Sequence, residues 1–263
     1  MKKLFIILSF FLIFVPALAL AQGDSLTTQI PTAESDYRYQ FDQYRARYQA
    51  YVTAKQTYES DKTLVAETAA LNAAKAVAIA RSATLRTYTA WVRLRLLSLI
   101  SVYPQAAEYA DGLNTQIVWY QNHEAAISST TSLSSFDQVM NDYYFKRTER
   151  QKLYSAAQIV LKLAELAGFQ HEARGQFDPI LTALKDKQNV PEVQQGLIHI
   201  AQIGDEINVL ITATQTIVGS IQSEDLAAKQ ALQKASEKLD AIRTKQLELI
   251  TFITELEQNY YDQ

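Results

Sequence analysis

Apolar residues recur along this chain at alternating steps of three and four, over stretches longer than an ordinary helix. Between residues 37 and 58 the positions on this spacing are Tyr37, Phe41, Tyr44, Tyr48, Tyr51 and Tyr58, with Lys55 at the missing heptad position. Such spacing lays the rings along one stripe of a helix, the seam of a coiled coil, and leaves Tyr39 off it. Beyond Lys62 the stripe changes register to Leu64, Leu71, Ala78, Leu85, Val92 and Leu99. A change of this kind alters a supercoil locally. No proline or glycine occurs from Ala33 to Ser101. The pattern therefore predicts one helix over about residues 33–101, about 100 Å long at 1.5 Å per residue.

A second stripe is stricter. From Val193 the steps of four and three meet Leu197, Ile200, Gly204, Ile207, Ile211, Thr214, Val218, Ile221, Asp225, Ala228, Leu232 and Ala235. They continue through Leu239, Ile242, Gln246, Leu249, Ile253, Leu256 and Tyr260. Only Gly204, Thr214, Asp225 and Gln246 interrupt the apolar series. This predicts a second very long helix, about residues 191–260, running through Ser223-Glu224-Asp225 even though that triplet resembles a helix start.

Shorter helices fill the interval. Pro104 suits a first helical position, and Ala106, Ala110, Leu113, Ile117, Tyr120 and Ile127 mark a helix to about residue 127. The polar run 128–135 is a loop. A further helix starts near Ser135, with a break or kink where Gly168 and Gly175 weaken it.

The fold class that follows is all-α: an elongated antiparallel bundle or coiled coil with two very long helices and shorter ones between. The candidate interhelical seam sets the stripe from Tyr37 to Tyr58 against Leu239, Ile242, Leu249, Ile253, Leu256 and Tyr260 of the last helix. In this arrangement Tyr37 lies beside the Leu249 to Tyr260 end.

Composition sharpens the picture. The opening MKKLFIILSFFLIFVPALALAQ has two lysines, an apolar run from Leu4 to Val15 and a small-residue exit, the layout of a signal peptide (residues 1–21) cleaved after Ala21. The apolar run is too short to span a membrane comfortably. Residues 22–32 then read as a short disordered leader and residues 33–263 as a single helical-bundle domain. The expected localisation is secreted or periplasmic, and the short Lys-Lys start suits a bacterial precursor. No cysteine is present, so no disulfide staples the exported chain. Loss of Lys2 and Lys3 with the leader deepens the formal charge from −3 to −5, a poor balance for binding nucleic acid.

Chemistry is sparse. The three histidines, His123, His171 and His199, lack the Glu-x-x-His spacing of a di-iron bundle, and the adjacent pairs His123-Glu124 and His171-Glu172 read as surface residues. There is no Gly-x-Ser-x-Gly elbow and no phosphate-cradling glycine loop. We expect no enzyme activity, no cofactor and no metal. Three functions fit. The first is a spacer, scaffold or interaction module whose partners are other envelope or secreted proteins, or a second copy of the chain. The second is a ligand-binding bundle using Tyr88, Trp91, Tyr103, Trp119 and Tyr120 near the junction of the first two helices. The third is insertion of the uncharged segment 207–223 into a membrane, although half of that segment is polar.

Overall fold

The computed structural model describes residues 22–221 and 225–260; the proposed signal peptide (residues 1–21) and the Ser223-Glu224 pair lie outside the described residues. The chain is an all-α bundle of α1 (Gln22–Asp61), α2 (Leu64–Ser98), α3 (Ala106–Ser129), α4 (Leu133–Phe145), α5 (Arg147–Asp186), α6 (Pro191–Gly219) and α7 (Asp225–Tyr260).

Neither very long helix persists. The first breaks at Lys62, whose φ of 50° is the left-handed conformation. Thr63 then caps α2, its side chain accepting a hydrogen bond from the Ala66 amide at 3.2 Å, with Glu67 in the positive first turn. The chain reverses there, so the tyrosine stripe of α1 packs against α2 and not against α7. Thr84 of α2 ties the hairpin, its hydroxyl 2.9 Å from the Gln40 carbonyl. The register change beyond Lys62 thus marks a turn between two antiparallel helices.

The last stripe divides in the same way. α6 ends at Gly219, and α7 returns along it, joined by Lys245 to Glu206 at 2.8 Å. Leu239, Ile242, Leu249, Ile253, Leu256 and Tyr260 consequently face α5 and α6 instead of the tyrosines. The side chain of Asp225, on the expected stripe, is outside the described residues.

Two further expectations are corrected. Residues 22–32 are the start of α1, with Pro31 inside the helix. Leu26, Ile30 and Ala33 lead into Tyr37 at steps of four, three and four and are half-buried, so the stripe begins before the tyrosines do. Neither Gly168 nor Gly175 breaks α5, which is 40 residues long, about 60 Å at 1.5 Å per residue.

α5 is the spine that orders the rest. It runs parallel to α2, since Thr89 meets Tyr154 and Arg95 meets Glu165, and parallel to α7, since Gln246 meets Leu166 and Lys187 meets Tyr260. Three apolar clusters follow along the bundle. The largest gathers Leu96, Leu113, Ile159, Ile203, Ile207 and Ile242 from α2, α3, α5, α6 and α7. Ala78, Ile127 and Phe136 close the α1–α4 end, and Leu184, Val193 and Leu256 close the other. Each fully buried aliphatic side chain contributes roughly 1.5–3 kcal/mol. The segment from Ile207 to Ile221 turns its apolar face into the largest cluster, and no helix among the described residues is long and apolar enough to cross a membrane.

Candidate functional site

The five aromatics expected to gather at one junction are distributed over three places. Tyr103, at the end of the α2–α3 turn, is buried, and its hydroxyl accepts a hydrogen bond from Gln215 at 3.1 Å. Its role there is packing.

Tyr88 and Trp91 line a cleft of about 540 Å³ between α2, α5 and α7, with Gln158, Lys162, Gln233 and Ser236 among its walls. Tyr37 stacks on Trp91 with ring centres 6.1 Å apart and planes 5° from parallel, and the Arg95 guanidinium lies 5.0 Å from the same ring. Gln158 donates to the Tyr88 hydroxyl at 2.8 Å. The Trp91 indole N–H is buried with no acceptor. Arg95 and Lys162 share a single carboxylate, Glu165. The cleft therefore combines an aromatic wall, amide and hydroxyl groups and an excess of positive charge.

Trp119 and Tyr120 belong to a cage that the sequence reading missed. Arg150 of α5 is 5% exposed, and its guanidinium lies 4.1 Å from the Trp119 ring centre and 4.4 Å from that of Tyr143. One of its nitrogens donates to the Tyr143 carbonyl and another, Nη1, is buried without a partner. Cation–π contact with two rings partly replaces the water that the charge has lost. His123 completes the wall, stacked 4.8 Å from Trp119 and 5.4 Å from Tyr143.

His123 is thus a core residue, not the surface residue expected. Burial, then the positive charge of Arg150 and to a smaller extent that of Arg81, hold its pKa down to about 4 against the opposing pull of Asp142. Burial likewise pushes the Tyr120 and Tyr154 hydroxyls up. The hydroxyls form a row: Tyr154 lies 3.4 Å from Tyr120 and 2.6 Å from Thr89, whose own hydroxyl donates to the Leu85 carbonyl. His123 is thereby held neutral, and Tyr120 and Tyr154 protonated, near neutral pH. The cage supplies rigidity and one buried cation.

The tyrosine stripe makes a third feature. Tyr44, Tyr48 and Tyr51 of α1, Val77 and Arg81 of α2, and Phe136, Met140 and Tyr144 of α4 line a groove of about 320 Å³. Small residues Ala74 and Ala78 on α2 leave room for the rings. α4 is held in place by Ser132 and Ser135, which bond reciprocally to each other's backbone N–H as a capping box. α1 packs chiefly on α2, so Phe41 and Tyr48 remain 42% and 46% exposed, and Phe145 beyond the groove is 86% exposed.

Among the described residues no cluster of three or more metal-binding side chains occurs. His171 stands exposed on α5, while His199 packs edge-on against Phe252. No protein-family model, no curated protein and no solved structure matches the chain.

Proposed function

We propose that this chain is an exported, non-enzymatic interaction module that binds a protein partner through the open tyrosine face of the α1–α2 hairpin. One observation carries the reading: a 40-residue helix packs chiefly on one neighbour and leaves Phe41 and Tyr48 of its aromatic stripe exposed. Rings at helical spacing that served packing alone would be covered. The groove is also rich in tyrosine, with methionine and arginine, the side chains that dominate the buried centres of protein interfaces. Export rests on the charged, apolar and small-residue pattern of residues 1–21. The non-enzymatic part rests on the sequence, which has no Gly-x-Ser-x-Gly elbow and no phosphate-cradling glycine loop.

A photo-crosslinking residue at Tyr48 tests the reading in the intact source cell, with the same residue at exposed Asp111 of α3 as control. The expected result is one discrete protein adduct from position 48 and none from 111. No adduct, or the same adducts from both positions, would overturn it. Light scattering on the purified mature chain then shows whether the partner is a second copy.

The Trp91 cleft favours a second reading, a binder of polar small molecules such as glycans, because the Tyr88 and Trp91 rings line it together with the amides of Gln158 and Gln233 and the Ser236 hydroxyl. Tryptophan fluorescence should respond to the right sugar in the parent chain and in Trp119→Phe, but not in Trp91→Phe. A response that survives Trp91→Phe would sink it.

A further inference from the structure

The groove under the tyrosine stripe holds a cation that the fold does not neutralise. Among the described residues its lining has one basic side chain, Arg81 of α2, and one carboxylate, Asp137 of α4. Arg81 is half-buried, and its guanidinium lies 4.6 Å from the centre of the Tyr143 ring, which Arg150 meets at 4.4 Å. Among the described residues neither guanidinium has a carboxylate partner. Glu124 of α3 is held by Arg86 at 2.9 Å, and Asp142 of α4 pairs with neither. Asp137 is exposed and stands six residues before Tyr143, about 9 Å along the axis of α4 at 1.5 Å per residue, so it leaves Arg81 unpaired.

The surrounding walls have the same sign. Residues 44–51, 74–81 and 136–144, which bound the groove, carry Arg45, Arg47, Lys75 and Arg81 against Asp137 and Asp142, in a chain whose formal charge is −3. Lys75 is spent on the Ser128 and Thr130 carbonyls, whereas Arg45 and Arg47 are exposed and make no ion pair among the described residues. Salt screens exposed charges within about 8 Å at physiological strength and half-buried ones much less. Arg81 is therefore the charge that counts.

The hydroxyls of the groove are free as well. Those of Tyr44, Tyr48, Tyr51 and Tyr144 make no hydrogen bond to another described residue. A guanidinium only donates, and a phenol hydroxyl can donate, so these groups together call for an acceptor.

We infer that the partner docks here through an acidic segment, with an apolar side chain among Val77, Phe136 and Met140 and a carboxylate on Arg81. This rests on the reading that the tyrosine face binds a protein, and it names the chemistry of what is bound. A carboxylate accepts from a guanidinium through both oxygens, a contact stronger than a neutral hydrogen bond. A basic segment is disfavoured because it would bring like charge against Arg45, Arg47 and Arg81.

Random peptides displayed on phage and selected on the immobilised mature chain are the probe. Those whose binding is lost in Tyr48→Ala should carry more Asp and Glu than Lys and Arg, and their affinity for the parent chain should fall with added salt. Synthetic copies should bind Arg81→Met about tenfold more weakly, the worth of one charge-assisted hydrogen bond, and Arg81→Lys should recover part of the loss. Asp137→Asn, which removes the carboxylate of the lining, should bind them at least as tightly as the parent. Thermal unfolding checks that each variant is folded, while peptide composition and salt dependence are read on the parent chain alone. Tyr48-dependent peptides without an acidic excess, or with unchanged affinity for a folded Arg81→Met, would overturn the acidic assignment and leave the docking face standing. No Tyr48-dependent peptide at all would overturn both.

Discussion

The two hairpins of this molecule have the same sequence rhythm and opposite surroundings. In α6–α7 the stripe meets α5 as well as its own partner, and Ile207, Ala235 and Ile242 are fully buried. In α1–α2 the tyrosine stripe meets chiefly one helix, and Phe41 and Tyr48 keep over two-fifths of their surface exposed. A regular three-four spacing therefore reports that a helix has a facing neighbour. How deeply the stripe is buried depends on whether a third helix covers the hairpin, and that depends on topology.

The largest expected effect lies on the covered side. Ile242→Ala should lower unfolding stability by about 2–5 kcal/mol, because a fully buried branched side chain leaves a cavity behind. Chemical denaturation gives the value, and a loss below about 1 kcal/mol would break the contrast between the hairpins.

Acid should then separate the two ends. His123 has an unfolded pKa near 6.5 and a folded one held down to about 4, so the unfolded chain takes up the proton first as pH falls. Stability is full above about pH 6.5 and declines as pH drops toward about 4, by on the order of 2–3 kcal/mol. Hydrogen exchange should show the amides around Trp119, His123 and Tyr143 opening before those of the α6–α7 end. His123→Phe should flatten that part of the profile; an unchanged profile would remove the histidine from the explanation.

Lys62 gives a test by sign. In a hairpin with a left-handed residue at the turn, Lys62→Gly should raise stability by about 1 kcal/mol. In an unbroken helix the same substitution would lower it by about as much. Smallest of all, Tyr48→Ala should change stability by less than about 0.5 kcal/mol while removing the partner contact described above.

Much of this was legible in the sequence, and the failures have identifiable causes. The helical class followed from the spacing and the scarcity of glycine and proline. The α1–α2 turn left a signal in the register change beyond Lys62 and in Thr63, which is placed to cap the helix that follows, but no glycine or proline marks it. The α6–α7 turn left none in the stripe, because the turn length happens to continue the steps of three and four from Val218 through Ile221 to Ala228. Only Gly219 and Ser223-Glu224-Asp225 hinted at it. His123 and Arg150 are polar by type, yet their positions were readable. His123 sits three after Tyr120 and four before Ile127 on α3, and Arg150 four before Tyr154 and seven before Ala157 on α5, each on the inward face of its helix. The cage itself joins α3, α4 and α5, and no spacing within one helix could show it.

One distance tests the central claim, that α1 folds back on α2 and presents its tyrosine stripe at an open edge. The chain has no cysteine, so Thr32→Cys with Ser98→Cys, both exposed positions, gives two unique sites for spin labels on the mature protein diluted in unlabelled chain. Helices packed side by side put the labels roughly 20–25 Å apart, allowing for an interaxial spacing of 8–10 Å and the reach of the labels. A dominant pair distance in that range is the expected result. A continuous helix would separate them by about 100 Å, and the absence of any short distance would contradict the hairpin and the docking face built on it.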